Sequence, residues 1–228
     1  MNKKITVFGM SLLSMALLVF PTTQSQAQAR IGIKGGINFA NMKYEPRDQT
    51  EGVPDLNSFT SYHIGAVVDL PLAVGLSLQP GILLNSVGTK MEYNSDALGK
   101  YTMAVNPVYI DVPVNLLFKP EIGPGTKLYV GLGPYIGFGV GGKATYDAET
   151  PLGDGHVDHD LAYGNDNDDD LKSTDIGGNI LAGFEFGNGL LLGAQYGLSF
   201  TNNAPGGENN DTKILRNKVL SVSVGYLF

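Results

Sequence analysis

Nine polar residues are spaced so that, in an extended chain, each would share a side with glycine, serine or asparagine: Lys34, His63, Asp69, Gln79, Asp111, Asn115, Tyr129, Asp175 and Glu185. Gathered in one interior, such groups can do three kinds of chemistry. Opposite charges and amides can lock into a hydrogen-bonded, ion-paired plug. A row of titratable groups can pass a proton or a small ion. A serine, a histidine and an acid can form a hydrolase set, for which Ser61 and His63 share a side. A nucleophile and its base need hydrogen-bond contact and an orienting third group, and a spacing of two along a strand does not provide it. The plug is therefore the expectation, with Lys34, His63, Asp69, Asp111 and Glu185 as its charged members. Lys34 and Asp69, toward the same end of adjacent antiparallel strands, are expected to approach one another. No catalytic residue and no cofactor-binding residue is assigned, and the chain is not read as an enzyme.

A second candidate is acidic. Asp147, Glu149, Asp154, Asp158, Asp160, Asp166, Asp168, Asp169 and Asp170 crowd one polar stretch, with His156 and His159 among them. Asp166, Asp168 and Asp170 have the spacing of a calcium loop. The sixth position is Leu171 rather than glycine and the twelfth is Gly177 rather than glutamate, so this is not an EF-hand. Weak calcium binding by these three aspartates is the only metal reading the sequence offers, and two histidines in one loop are thin support for a transition metal. A solvated charged loop is the simpler account.

The elements that must position these residues are visible as alternation. Successive side chains of a strand point to opposite faces, and eight stretches after residue 30 show that period. They run from Arg30 to Ala40, about Phe59 to Leu70, Gly75 to Ser86, Tyr109 to Phe118, Leu128 to Val140, Asp175 to Phe186, Leu190 to Thr201 and Leu220 to Phe228. In the fourth, Ile110, Val112, Val114, Leu116 and Phe118 alternate with Tyr109, Asp111, Pro113, Asn115 and Leu117. The connections alternate as well. Long polar loops are expected at 41–58, 86–103, 142–173 and 201–214, and short links at 71–74, 119–126 and 187–189, where Asn188-Gly189 is a tight-hairpin signal.

The face opposite the apolar residues decides between a soluble and a membrane barrel. A soluble barrel hides its apolar face and shows water a charged one. Here the second face is mostly glycine, serine, asparagine, glutamine and tyrosine, a poor solvent surface but a good filling for a narrow barrel. The chain has 31 glycines in 228 residues, about twice the ordinary share of ~7%, without a collagen period. Tyr62, Phe118, Phe138, Phe186, Tyr196, Phe200, Tyr226 and Phe228 fall near strand ends on the apolar face, as interfacial girdles would, and a terminal strand ending in Phe228 suits such a barrel. The fold expected is an all-β, eight-stranded, antiparallel up-and-down transmembrane barrel.

Export is expected too. Lys3 and Lys4 precede an apolar run from Ile5 to Phe20, and Ala27-Gln28-Ala29 offers a cleavage site. Residues 1–29 read as a cleaved signal peptide and 30–228 as the barrel domain. The run of 16 residues is shorter than the ~20 a spanning helix needs. Without the leader, 13 basic residues face 22 acidic ones, a formal charge of −9, which argues against nucleic acid as a partner. With no cysteine, disulfides, thiolate metal sites and a lipidated cysteine are excluded.

Leu76-Ser77-Leu78-Gln79-Pro80-Gly81-Ile82-Leu83-Leu84 resembles the third-strand signature of the small porin-like or PorT-like outer-membrane β-barrel proteins of Bacteroidetes. Tyr109-Ile110-Asp111-Val112-Pro113-Val114, Gly131-Leu132-Gly133-Pro134-Tyr135 and Gly193-Ala194-Gln195-Tyr196-Gly197-Leu198 are similar to other strands of that family. The resemblance covers Arg30 to Phe228. It implies a bacterial outer-membrane location with both termini in the periplasm and says little about activity, although one class of members takes part in protein secretion. The leading expectation is a structural or interaction barrel with exposed loops and a side-chain-filled lumen, its partners the lipid bilayer and other envelope proteins. A narrow porin-like channel, or a transport or secretion accessory, ranks second, and a lipid-modifying enzyme third.

Overall fold

The computed structural model describes residues 28–46, 56–95, 99–151, 153–164, 169–203 and 213–228. Among the described residues eleven strands form: β1 (Arg30–Pro46), β2 (Leu56–Ala73), β3 (Leu76–Ser86), β4 (Thr89–Ser95), β5 (Gly99–Phe118), β6 (Glu121–Gly123), β7 (Thr126–Thr150), β8 (Gly153–Asp160), β9 (Thr174–Phe186), β10 (Leu190–Ser199) and β11 (Lys213–Leu227). Eight of them, β1, β2, β3, β5, β7, β9, β10 and β11, pair antiparallel in succession. The ring closes where β1 meets β11, from Gly32↔Leu227 to Pro46↔Lys213. A closed ring leaves no unpaired edge among its strands, so every backbone N–H and C=O within its wall can be satisfied without water. The expected eight-stranded barrel is what the chain forms.

The alternation is realised with the apolar side outward. Ile31, Ile33, Ile64, Ile82, Leu132, Ile180, Val222 and Val224 are all more than half exposed, while Asn38, Ser61, His63, Asn115 and Ser221 are buried. Among the described residues, 18 polar side chains are buried against 11 apolar ones, the inverse of a water-soluble interior. Lipid is the medium that covers such a belt. Phe118 and Phe138 mark its two rims on one side of the barrel: Phe138 lies opposite Ile110, eight residues up β5 from Phe118. At ~3.3 Å per residue and a tilt of ~40°, that is about 20 Å of height. Tyr226 and Phe228 add an edge-to-face pair with centroids 5.2 Å apart.

The two ends differ. At the turn end, Val74-Gly75, Pro124-Gly125 and Gly187-Asn188 make the reversals. Gly75 and Gly189 take φ of 72° and 91°, which side chains resist and glycine accepts. At the loop end, β5 and β7 run to 20 and 25 residues, well past the ~9–11 a tilted strand needs to cross a bilayer. Here two expected loops are corrected. Much of 86–103 and 142–173 is strand: β4 pairs with β5 from Thr89↔Val105 to Ser95↔Gly99, and β8 with β7 from Lys143↔Asp160 to Thr150↔Gly153. Polarity suggested loops because these strands have one face in water rather than in lipid. The expected leader, residues 1–29, lies almost wholly outside the described residues.

Val114 is exposed on the belt, four residues along β5 from each rim. Val114→Arg is expected to lower the free energy of unfolding by about 2–4 kcal/mol, the cost of a cation near a bilayer midplane. Urea titration of protein refolded in phosphatidylcholine vesicles measures it, and an unchanged midpoint would mean that this face does not meet lipid.

Candidate functional site

The barrel interior is filled in four layers from the turn end to the loop end. The first is a ring of four charges. Arg30 at the start of β1 donates to Asp69 Oδ2 at 2.8 Å and to Glu185 Oε1 at 2.6 Å. Lys119, between β5 and β6, donates to Asp69 Oδ1 at 2.6 Å and to Glu185 Oε2 at 3.0 Å. Each carboxylate thus offers one oxygen to each cation, and the four side chains sum to zero charge. Asp69, Lys119 and Glu185 are buried, and only Arg30 keeps contact with solvent. Together they tie β1 and β2 to β9 across the lumen.

Asp69 and Glu185 are where the sequence reading places them. The expected approach of Lys34 to Asp69 does not occur. Register explains it: Asp69 lies opposite Arg30, whereas Lys34 lies opposite Gly65, four residues or ~13 Å farther along the strand. Arg30 and Lys119 were not singled out because one opens a strand and the other sits in a short link. Acids facing inward near a barrel end without a lysine in reach were the available signal for them.

The second layer is apolar: Val67, Leu117, Tyr129, Leu181, Leu191 and Leu227, from six different strands, form one cluster. Leu117 and Tyr129 lie on the inward face where the alternation of their strands puts them. Glycines make room for the cluster. A Cβ on Gly183 or Gly193 would collide with the Tyr129 ring or hydroxyl.

The third layer is the polar belt, and Asn38 is its hub. Its amide nitrogen donates to Asn85 Oδ1 and to the Ser86 carbonyl, both at 2.8 Å. Its oxygen accepts from His63 Nδ1 at 2.8 Å and from Ser221 Oγ at 2.7 Å. All four of its hydrogen-bonding positions are used. Asn85 in turn donates to Asp111 at 2.6 Å, and Lys34 donates to Gln195 at 3.2 Å. Asp175 accepts from Tyr135, Asn217 and Ser199. Ser61 donates to the Ser86 carbonyl at 2.6 Å, not to His63, so no nucleophile–base pair forms there. Beside this belt lies a small cavity of about 40 Å³, bordered by His63, Asp111, Tyr135 and Gln195. His63 Nε2 is buried and has no hydrogen-bond partner among the described residues; the cavity is polar and roomy enough for a water that would satisfy it.

The fourth layer is a cap. Tyr109, only 1% exposed, packs with Ala40 and Val87, and Tyr163 meets it edge-on at 5.8 Å. The Tyr163 hydroxyl donates to the Gly141 carbonyl at 2.6 Å, and its ring lies where a Cβ on Gly139 would be. The segment carrying Tyr163 is pinned by Leu161 N to Gly142 O at 3.0 Å and Gly164 N to Leu171 O at 3.0 Å.

Above the cap rises an arm of β4, β5, β7 and β8 in that order, with the first residues of β2 paired to the free side of β4. Its faces are unlike. Met91, Tyr93, Tyr101, Met103, Tyr146, Ala148 and Val157 pair across one face, where a groove of about 610 Å³ opens. The other face carries Lys90, Glu92, Lys100, Lys143, Asp147, Glu149, Asp154, His156, Asp158 and Asp160. His156 lies 2.6 Å from Asp147 and 3.4 Å from Asp158. His159, three residues on, points to the opposite face and lies 3.1 Å from Asp170, so the two histidines do not converge. Of the calcium candidates, Asp170 accepts from His159 and from the Ala162 N–H at 2.8 Å, which makes it a brace of the cap segment. Asp166 and Asp168 lie outside the described residues.

Comparison with known proteins agrees with the ring of strands. Residues 24–204 match the family described as outer membrane protein beta-barrel domain. The chain belongs to that family. Its place is accordingly the bacterial outer membrane. No curated protein sequence matches it. Solved structures similar to this barrel include Ail, the attachment invasion locus protein of Yersinia pestis (13% identity, 88% of this chain and 99% of that one, TM-score 0.40). OprG of Pseudomonas aeruginosa (13%, 90% and 98%, TM-score 0.46) and Neisserial surface protein A (13%, 88% and 99%, TM-score 0.42) are also similar.

Two outcomes follow from this geometry. Lys119→Met leaves two buried carboxylates to one cation, and breaking a buried pair from one side costs about 3–5 kcal/mol; Lys34→Met, whose partner is a neutral amide, is expected to cost less. Gel migration of heated, folded barrels measures both, and equal midpoints would contradict the four-charge ring. On the arm, the hydrogen bond with Asp147, helped by the charge of Asp158, holds the His156 imidazole above its ordinary value of 6.5. A raised value means that protonated His156 stabilises the β7–β8 hairpin, fully below 6.5 and no longer once pH has risen through the raised value. An NMR titration should place His156 above 6.5, and Asp147→Asn should bring it down.

Proposed function

We propose that this protein is a non-conducting outer-membrane barrel whose work is to hold the β4-β5-β7-β8 arm at the cell surface as a platform for interaction. The observation that carries this reading is the filled lumen. A four-charge ring, an apolar layer, a hydrogen-bonded belt and an aromatic cap lie in series, and eight strands enclose a space that side chains alone fill. The cavity beside the belt measures about 40 Å³, room for a water or two. The structure spends its long strands instead on the arm, which is rigidly built from the barrel's own β5 and β7.

In this reading the turn end and both termini face the periplasm, since short turns on that side and long connections outside are the rule for such barrels. Residues 1–29 are the cleaved export signal. The polar groups of the lumen, Lys34, His63, Asp69, Asp111 and Glu185, are structural, and envelope proteins or ligands meet the arm. Calcium at Asp166, Asp168 and Asp170 is not needed by this role.

Purified protein in planar bilayers is expected to show no ion conductance above background at 100 mV. Steady single-channel steps would replace the platform reading with that of a narrow channel.

A further inference from the structure

We infer that β8 accepts an extended, basic segment of another protein as an added strand. This rests on the arm standing at the cell surface, and it names the class of partner.

β8 pairs with β7 along its whole length, from Thr150↔Gly153 to Lys143↔Asp160. Among the described residues it pairs with no other strand, and every residue from Gly153 to Asp160 is exposed. Among the described residues, its far side is a row of backbone donors and acceptors with no backbone partner. Such edges template strand addition unless charged side chains, proline or a bulge blunt them, and charge of one sign blunts them only against like charge. β8 has no lysine and no proline, and its register with β7 is unbroken.

What it carries is acid. On the charged face of the β7–β8 hairpin, Lys143 and His156 stand against five carboxylates, those of Asp147, Glu149, Asp154, Asp158 and Asp160. A second copy of β8 laid along this edge would set its aspartates beside these, and like charges across a strand pair repel. The edge therefore rejects its own kind while attracting the opposite charge. On its other face β8 offers Val157, 61% exposed and opposite Tyr146. The strand that fits alternates lysine or arginine, over the aspartates, with apolar residues that lengthen the Val157–Tyr146 surface. Its backbone supplies the hydrogen bonds and its cations the selectivity.

The test uses the full protein in phosphatidylcholine nanodiscs and three end-capped eight-residue peptides. One alternates lysine with valine, one alternates glutamate with valine, and one is the lysine–valine peptide with every amide N-methylated. Binding of the first is expected, with new hydrogen-exchange protection of β8 amides. N-methylation should weaken it at least tenfold, and so should the combined substitution Asp154→Asn, Asp158→Asn and Asp160→Asn, which lies outside the barrel and leaves heat-modifiable migration unchanged. Equal binding of the N-methylated peptide would reduce the effect to charge adhesion and overturn edge pairing. So would protection falling elsewhere, self-association through β8 without peptide, or no binding at all. None of these results bears on conductance, which tests the platform reading separately.

Discussion

Closure of the sheet is the constraint on which everything else in this molecule depends. A bilayer core has no water for an unpaired backbone group, so the pairing of β1 with β11 converts eight amphipathic strands into one wall whose polar backbone is spent internally. Once the ring is closed, the faces cannot be exchanged. A register slip of one residue would turn Ile31, Ile33 and Ile37 inward and Asn38 into lipid. The apolar belt and the polar interior are two consequences of that single requirement.

The interior then faces a volume problem and a charge problem. Eight strands leave little space, and glycines opposite large side chains solve the first: Gly183 and Gly193 around Tyr129, Gly139 under Tyr163. The second is solved by cancellation. Arg30, Lys119, Asp69 and Glu185 neutralise one another through four contacts of 3.0 Å or less. Farther in, where Lys34 and Asp111 meet amides, charge is accommodated by hydrogen bonds rather than by a counter-ion at contact distance. Ionic, apolar, amide and aromatic layers thus follow one another along the lumen.

Outside the lipid the same strands obey another rule. β5 and β7 continue without a break beyond the belt, and their outward residues change from Ile110 and Phe138 to Thr102 and Asp147. The faces remain distinct because water now covers one of them. The pairing of β5 with β7 runs from Lys100↔Glu149 to Phe118↔Val130, with a bulge between Val108 and Tyr109 where the arm leaves the barrel.

The sequence by itself determined the number of wall strands, the outward face of each and the inward placement of His63, Asp69, Asp111 and Glu185, because a period of two is a local property of every strand. It also marked the turns, where Gly75 and Gly189 supply backbone angles that few residues accept. Which charges would meet was not local. It depended on register between strands and on distances across the lumen, so Asp69 found Arg30 and Lys119 rather than Lys34, and Glu185 joined them from the far wall. The arm, too, was decided only in three dimensions: polar stretches around Glu92 and Asp147 read as loops along the chain, and became strands because neighbouring wall strands gave their backbones partners to pair with.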